Sequence, residues 1–345
     1  MPQPGKARWW SMNAAYLYSL ITVVLLGLIA YAGAEAAGLE VLFGVIIPYL
    51  ALIVFLIGFA NKILDWTKSP VPFRIPTTMG QQKSLPWIKQ NKFDNPYTTG
   101  QVVIRMLLEI LLFRSLFKNL RTGFGKDGQK ITYKWVVWLW LFALMFHYSF
   151  LVVVIRHLRF FAEPVPFFVT MLERVDGMLQ IMLPNLFISG VVLLAGASLL
   201  LLRRVLLPKL VYISRPADYF PLFLIIGIAV TGLMMRYISK VDVVRVKELT
   251  MGLATFQPSI PEGSISGLFY VHLFFVSLLV AYIPFSKLMH MGGVFLSPTR
   301  NLANNSRAKR HVNPWNYPVK THTYEEYEDD FRDKMKEAGL PVEKE

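Results

Sequence analysis

Four of the six histidines in this 345-residue chain lie inside apolar stretches. His147 and His157 fall ten residues apart in LMFHYSFLVVVIRHLRFF, and His272 and His290 fall eighteen apart in YVHLFFVSLLVAYIPFSKLMH. A polar ring at membrane depth is costly without a partner, so an ionisable residue there points to function. Neutral imidazole is a good iron ligand, and coordination satisfies its buried nitrogen. Two bis-histidine haems would make an electron wire, because filled axial positions leave no open site for oxygen chemistry. Hydrogen bonds between spans, or a proton relay, would use the same four residues without any visible absorption. His311 and His322 sit in a polar tail, as solvated or protein-interface residues.

The elements that must hold these rings are membrane helices. The chain is 54% hydrophobic and 17% charged, with a mean hydropathy of +0.44, which places it outside the soluble globular range. A bilayer core of about 30 Å needs roughly 20 residues of helix. Six charge-free apolar runs are that long or nearly so: Ala14 to Ala34, Val41 to Asn61, Trp135 to Ile155, Gly177 to Leu202, Tyr219 to Met235 and Gly263 to Ser286. The expected fold is an all-α integral membrane bundle of six helices. Its regions are an N-terminal anchor helix (1–40), a membrane domain (41–296) with an insert (62–134), and a tail (297–345). The first run ends in YAGAEAAG, which resembles a cleavage site, but its apolar core exceeds that of a signal peptide and predicts an uncleaved anchor.

A net charge of +14 would suggest nucleic acid in a soluble protein, but placement explains it. With the N-terminus inside, the inner segments hold 29 of the 36 lysines and arginines, and the outer segments hold seven against eight acids. That is the positive-inside pattern, with both termini in the cytoplasm and the chain in the cell membrane. No nucleic-acid role is expected; lipid headgroups and an acidic partner fit the same charges. The absence of cysteine excludes disulfides, haem attached through C-x-x-C-H, cysteine-ligated zinc and an iron–sulfur cluster held by this chain alone.

Residues 62–134 join a Pro-rich polar stretch, SPVPFRIPTTMGQQKSLPWIKQNKFDNPYTTG, to the helix-like QVVIRMLLEILLFRSLFKNLR, in which Arg105, Glu109, Arg114 and Lys118 are too frequent for a span. That second part is expected at the interface or against the bundle. The tail predicts a polar helix over THTYEEYEDDFRDKMKEAGLP, closed by Gly339 and Pro341. Both regions suit a docking surface for a cytoplasmic protein, or else are disordered connectors. Gly292 and Gly293 are expected to stop the last membrane helix.

Depth decides how the histidines pair. His147 and His157 are about 15 Å apart by helical rise and His272 and His290 about 27 Å. The two helices run antiparallel, so only a nested pairing matches, His157 with His272 towards the outer face and His147 with His290 towards the inner. Eighteen residues are five full turns, whereas ten leave an offset of about 80°, so tilt or a bend is needed; Pro284 can supply one. Propionates favour cationic neighbours. Arg156 and Arg159 flank the outer pair, and Arg203, Arg204 and Lys287 lie near the inner face, although each suits interfacial anchoring as well. Arg174, Asp176, Lys240 and Asp242, at the outer surface, could line a quinol pocket or accept its protons.

Histidines ten apart on one helix and eighteen apart on a later antiparallel helix, with five spans from Val41 onward, resemble the diheme cytochrome b gamma subunit of respiratory nitrate reductase. The resemblance covers roughly residues 41–300. The extra first helix and the insert containing IPTTMGQQKSLPWIKQNKFDNPYTTG depart from that subunit and resemble the DsrM branch of the family, or its relatives with heterodisulfide-reductase-like partners. The resemblance implies two haem b groups on His147, His157, His272 and His290, with the same nested pairing, and menaquinol oxidised near the outer haem. It also implies a cytoplasmic iron–sulfur partner of the DsrK type in sulfite- or sulfate-respiring organisms, with further membrane and periplasmic redox subunits. The family's quinol-site residues match no motif here.

The expected function is therefore that of an electron-transfer subunit of an oxidoreductase complex rather than an independent enzyme. A gamma-type cytochrome of another reductase, acting on nitrate or heterodisulfide, has the same site. From other classes, a haem-free proton relay or transporter predicts no visible absorption, and a structural anchor predicts that replacing His147 or His272 leaves electron flow intact. The lack of repeated or broken helices counts against a transporter.

Overall fold

The computed structural model describes residues 4–344 except 70, 72–73, 76–79, 125–130, 180–183, 264 and 307–320, with the backbone alone for 4–13, 121–124 and 131–135. His311 and the middle of the tail fall outside the described residues. In chain order the helices are α1 (Pro4–Glu35), α2 (Ile47–Thr67, preceded by a π-turn Leu42–Ile46), α3 (Thr99–Leu112), α4 (Arg114–Phe117), α5 (Val137–His157), α6 (Phe167–Asp176), α7 (Ile188–Leu206), α8 (Pro208–Ile213), α9 (Pro216–Tyr237), α10 (Val243–Ala254), α11 (Gly267–Tyr282), α12 (His290–Leu296) and α13 (Tyr324–Glu337). A short antiparallel hairpin, β1 (Leu120–Phe124) with β2 (Ile131–Trp135), interrupts an otherwise helical chain.

Among the described residues, six helices are long and apolar enough to cross a membrane: Ala14–Glu35, Leu42–Thr67, Val137–Phe160, Ile188–Leu206, Pro216–Tyr237 and Gly267–Phe285. An even number of spans returns the chain to its starting side, here called the N-terminal face. That face carries the insert, α8 and α12, and the opposite face carries α6 and α10.

The bundle core runs through α1, α7, α9 and α11, with Val23, Ala30, Leu193, Ala197, Leu224, Tyr270 and Phe275 buried together. α1 is thus built into the bundle. Ser19 donates to the Pro216 carbonyl at 2.8 Å, and the Glu35 carboxylate accepts from the Gly267 amide at 2.8 Å, capping α11. Gly27 and Gly227 make room for Phe275 between α1 and α9, since a Cβ at either would stand 2.9 Å from its ring. Tertiary packing of this kind, more than helix propensity, is what stabilises such helices.

Three expectations need correcting. The fourth span starts at Ile188 rather than Gly177, because Gly177 closes α6, a separate helix, and α7 begins only at Ile188. The sixth helix does not continue to His290, so the expectation of unbroken helices does not hold for it. Pro284 has no amide hydrogen to give, α11 ends at Tyr282, and two 3₁₀ turns joined through an extended Ser286 (φ −124°, ψ 173°) lead to His290 at the start of α12. Gly292 and Gly293 therefore lie inside α12, against the rings of Phe59 and Trp66, and do not terminate a span.

On the N-terminal face, the insert and the segment after α12 form one polar module. α3 starts on Thr98, whose hydroxyl accepts from the Gln101 amide, and ends at Phe113. Asp94 is its hub. The carboxylate meets Arg114, Lys118 and Asn91, while the Asp94 carbonyl accepts from Arg74 and Arg105. Burial of Arg74, reinforced by the Arg105 charge and only partly offset by Asp94, lowers its pKa to about 10, so it stays cationic at neutral pH. Asn304 ties the later segment in by donating to Asn95 at 3.0 Å and to Pro96 O at 2.6 Å through its amide. α13 forms where the tail composition predicts, with a reciprocal cap between Thr323 and Glu326 and Gly339 in a left-handed conformation (φ +69°) beyond its end.

Candidate functional site

The four membrane histidines meet in two pairs. The rings of His147 and His290 are 5.9 Å apart and nearly perpendicular (87°), and those of His157 and His272 are 6.3 Å apart and nearly parallel (15°). This is the nested arrangement that depth requires. The break after Pro284 is what lets it form, because the rise of a straight helix no longer separates His272 from His290. His147 and His272 are half-buried, and His157 and His290 are exposed at the bundle surface.

Each Nδ1 is already engaged. His147 bonds the Ala143 carbonyl at 2.7 Å, His157 the Val153 carbonyl at 2.7 Å, His290 the Lys287 carbonyl at 2.9 Å, and His272 the Thr231 hydroxyl at 2.8 Å. A carbonyl can only accept, so three of the rings carry their proton on Nδ1 and present Nε2 with its lone pair. This is the usual way in which a metal-binding histidine is fixed in its tautomer. Among the described residues no hydrogen bond engages any of the four Nε2 atoms.

The spacing suits one metal between each pair. A nitrogen lies about 2.0–2.1 Å from a bound metal and roughly 1.1 Å from its own ring centroid, so two opposed ligands place their centroids about 6.2–6.4 Å apart, a span that the outer pair matches and the inner pair falls slightly short of. Among the described residues no group of three His, Asp or Glu could hold a metal ion. Two histidines alone fit a metal whose other positions come from a macrocycle, which is the donor set of a bis-histidine haem. Gly232 makes room for one of the rings, since a Cβ there would stand 3.2 Å from Cε1 of His272.

At the opposite face Arg156 and Arg236 lie over the Phe187 ring, at 3.2 and 3.8 Å from its centroid. Arg156 also pairs with Asp176 at 2.8 Å and donates to Ser189 at 3.1 Å. Asp176 accepts from the Ser189 amide at 2.7 Å and hydroxyl at 2.5 Å, satisfying an amide in the first turn of α7. The Nε atoms of both arginines are buried with no hydrogen-bond partner, and among the described residues Arg236 makes no ion pair. Arg159 is held by both oxygens of Glu173, at 3.0 and 3.1 Å. Arg236 is the cation that sequence reasoning missed; an arginine at the end of an apolar helix, little more than one turn past Thr231, was its only signal.

The remaining candidates are placed as follows. Arg174 is exposed on α6. Asp242 caps α10 by accepting from the amides of Val244 and Arg245, and Lys240 takes a left-handed conformation just before it. At the N-terminal face, Arg204 and Lys287 converge on Asp218, at 3.8 and 2.5 Å. Arg203 lies half-buried beside Arg204 on α7. His322, in the tail, faces Glu326 at 3.8 Å.

Residues 132–308 match the family model described as nitrate reductase gamma subunit. The chain is 48% identical over 281 residues to a protein of Archaeoglobus fulgidus described as an Hdr-like menaquinol oxidoreductase cytochrome b-like subunit, covering 80% of this chain and 83% of that one. A protein of Archaeoglobus profundus with the same description is 46% identical over 275 residues, covering 78% and 81%.

Proposed function

This chain belongs to the nitrate reductase gamma family, as a gamma-type membrane cytochrome b, and from that premise we propose that it oxidises menaquinol and carries the electrons across the membrane on two haem b groups. The observation that carries the proposal is the pair of histidine pairs, each at a spacing that fits one iron and each Nδ1 already bonded. His157 with His272 would hold one haem and His147 with His290 the other. When bound, the haems supply one-electron chemistry. The chain sets the iron's axial field and the electrostatics around it.

The N-terminal face is cytoplasmic in this reading, as its basic excess favours, with both termini inside the cell membrane. Menaquinol gives up two electrons and two protons near the opposite, outer face. His157 with His272 and His147 with His290 would hold the groups that carry the electrons inward, while the protons would leave on the outer side. Arg156, Arg159 and Arg236 are the cations available to propionates at the outer pair, and Arg203 and Arg204 at the inner one. Arg174 and Asp176 are the candidates for the quinol side; Asp176 is already paired with Arg156 at 2.8 Å. The acceptor is a cytoplasmic iron–sulfur subunit of the heterodisulfide-reductase-like, DsrK type, in sulfite or sulfate respiration. The Hdr-like naming of the relatives supports a partner of that class.

The test is a reduced-minus-oxidised visible spectrum of the purified chain, with haem quantified per polypeptide, before and after a menaquinol analogue is added. Two low-spin b haems per chain, reduced by the analogue, are expected. A chain that folds and binds the analogue but takes up no haem would overturn the reading and return the histidines to a proton relay.

A further inference from the structure

Among the described residues, the insert touches the inner histidine pair through the ring of Phe113. α3 ends at Phe113, whose backbone is left-handed (φ +49°, ψ +46°). That conformation costs a residue other than glycine about 1–2 kcal/mol, and glycine is the usual occupant of such a helix end. What the phenylalanine adds is its ring, which stands edge-on to His147 with centroids 4.9 Å apart at 73°, within the range of favourable aromatic pairs.

The turn carrying Phe113 is clamped from both sides. From the bundle, Trp140 donates to the Leu112 carbonyl at 2.7 Å and Tyr148, next to His147, donates to the Leu111 carbonyl at 2.7 Å. These are terminal carbonyls of α3 that have no partner within the helix. From the polar module, one Glu109 oxygen accepts from the amide and hydroxyl of Ser115, at 3.1 and 2.6 Å, and the other meets Arg300 at 3.1 Å. Arg300 follows α12, the helix that begins with His290. A single buried carboxylate therefore joins the segment leaving one inner ligand to the turn that braces the other.

We propose that this turn is a positioning device for the inner haem. Phe113 fixes the His147 ring and shields its edge, and the Glu109–Arg300 pair holds Phe113 in place, so the module's state sets the inner haem's reduction potential. The proposal rests on the haem reading above. It makes Phe113 and Glu109 positioning residues, since neither occupies an axial position. Loss of the ring would admit water beside His147, and a more polar shell favours the charged ferric form, which lowers the potential.

The experiment is a redox titration of the full-length chain in lipid nanodiscs, followed by visible difference spectra and electron paramagnetic resonance. The inner signal is first identified as the one lost in H290A. Phe113→Leu is expected to lower the inner midpoint and shift that haem's low-spin signal while the outer haem stays put. Phe113→Tyr should retain the wild-type values. Glu109→Gln should shift the inner haem in the same direction, and Arg300→Gln should add little to it, because both act through one contact. If Phe113→Leu keeps both haems with unchanged potentials, the turn merely packs and the proposal fails. Should Phe113→Leu not accumulate, an unshifted inner haem in Glu109→Gln overturns it equally. A wild-type chain with no haem would instead overturn the parent reading, and this one with it.

Discussion

His272 directs its Nδ1 at the Thr231 hydroxyl of a neighbouring helix, 2.8 Å away, whereas its partner His157 bonds the Val153 carbonyl of its own helix. The two rings of the outer pair are thus oriented by different means, one local and one dependent on the packing of α9 against α11. Substitution of such outer partners typically costs metal ligands 10- to 100-fold in affinity. Thr231→Val should therefore lower occupancy of the outer haem, by roughly 10-fold in haem-titration affinity, while Thr231→Ser restores it. Unchanged affinity in Thr231→Val would mean that the hydroxyl is not orienting the ring.

The pairs make separable predictions. His157→Ala or His272→Ala should remove one of the two haems, block reduction of the other by a menaquinol analogue, and leave it reducible by dithionite. His147→Ala or His290→Ala should leave a single haem that the analogue still reduces. Visible spectra with each reductant distinguish the sets, and quinol reduction surviving in His157→Ala would reverse the assigned order of transfer.

Part of this architecture is legible in the sequence. The spans are, because a charge-free run of bilayer length has few alternatives, and antiparallel helices at matched depth restrict how the histidines pair. What escaped depends on contacts between distant segments. The first turn of α7 is capped by Asp176, thirteen residues before Ser189, so the apolar run from Gly177 gave no sign of where the helix begins. Glu35 caps α11 from 232 residues away. Phe113 is left-handed because the module and the bundle clamp it, and nothing in FRS marks that turn. Pro284 was visible as a bend but not as a full break, since the result depends on what Ser286 and His290 pack against.

Asp176 and Arg156 are a nearly buried pair, their side chains 7% and 13% exposed. Removing one partner from such a pair costs about 3–5 kcal/mol, because the other charge stays buried. Asp176→Asn should destabilise the chain by about that amount in denaturant unfolding in detergent micelles. The double variant Asp176→Asn with Arg156→Met should recover much of the loss. Equal destabilisation by the single and double variants would show that Asp176 acts through Ser189 alone.

Asp94 predicts an acid window for the polar module. Burial works against its ionised form, but the Lys118 hydrogen bond and charge, with Arg114 and Asn91, more than offset this and hold its pKa below the usual carboxylate value. A folded pKa below the unfolded one gives stability that is present above the unfolded value and lost as pH falls through the folded one. Protease resistance of residues 80–119 should thus be steady at neutral pH and decline below about pH 4. In Asp94→Asn it should be lower throughout, without that decline. An identical acid profile in the variant would assign the window to another carboxylate.

Gly232 tests whether the position of the His272 ring matters or only its presence. A Cβ at 232 would stand 3.2 Å from Cε1 of His272, closer than ordinary packing, and the ring cannot retreat freely because its Nδ1 is tied to Thr231 on the same helix as the glycine. Overpacking a well-filled site costs about 1–3 kcal/mol, and here the strain falls on a ligand. Gly190→Ala is the control: its Cβ would meet Leu233 Cδ2 at the same 3.2 Å, but that contact is the end of a flexible side chain that can turn away. Gly232→Ala should then weaken or spectrally perturb the outer haem and leave the inner one intact, while Gly190→Ala leaves both unchanged. If the two variants have the same spectra and the same haem content, the ring has more freedom than its hydrogen bond implies, and the Thr231 contact loses its role as an orienting device.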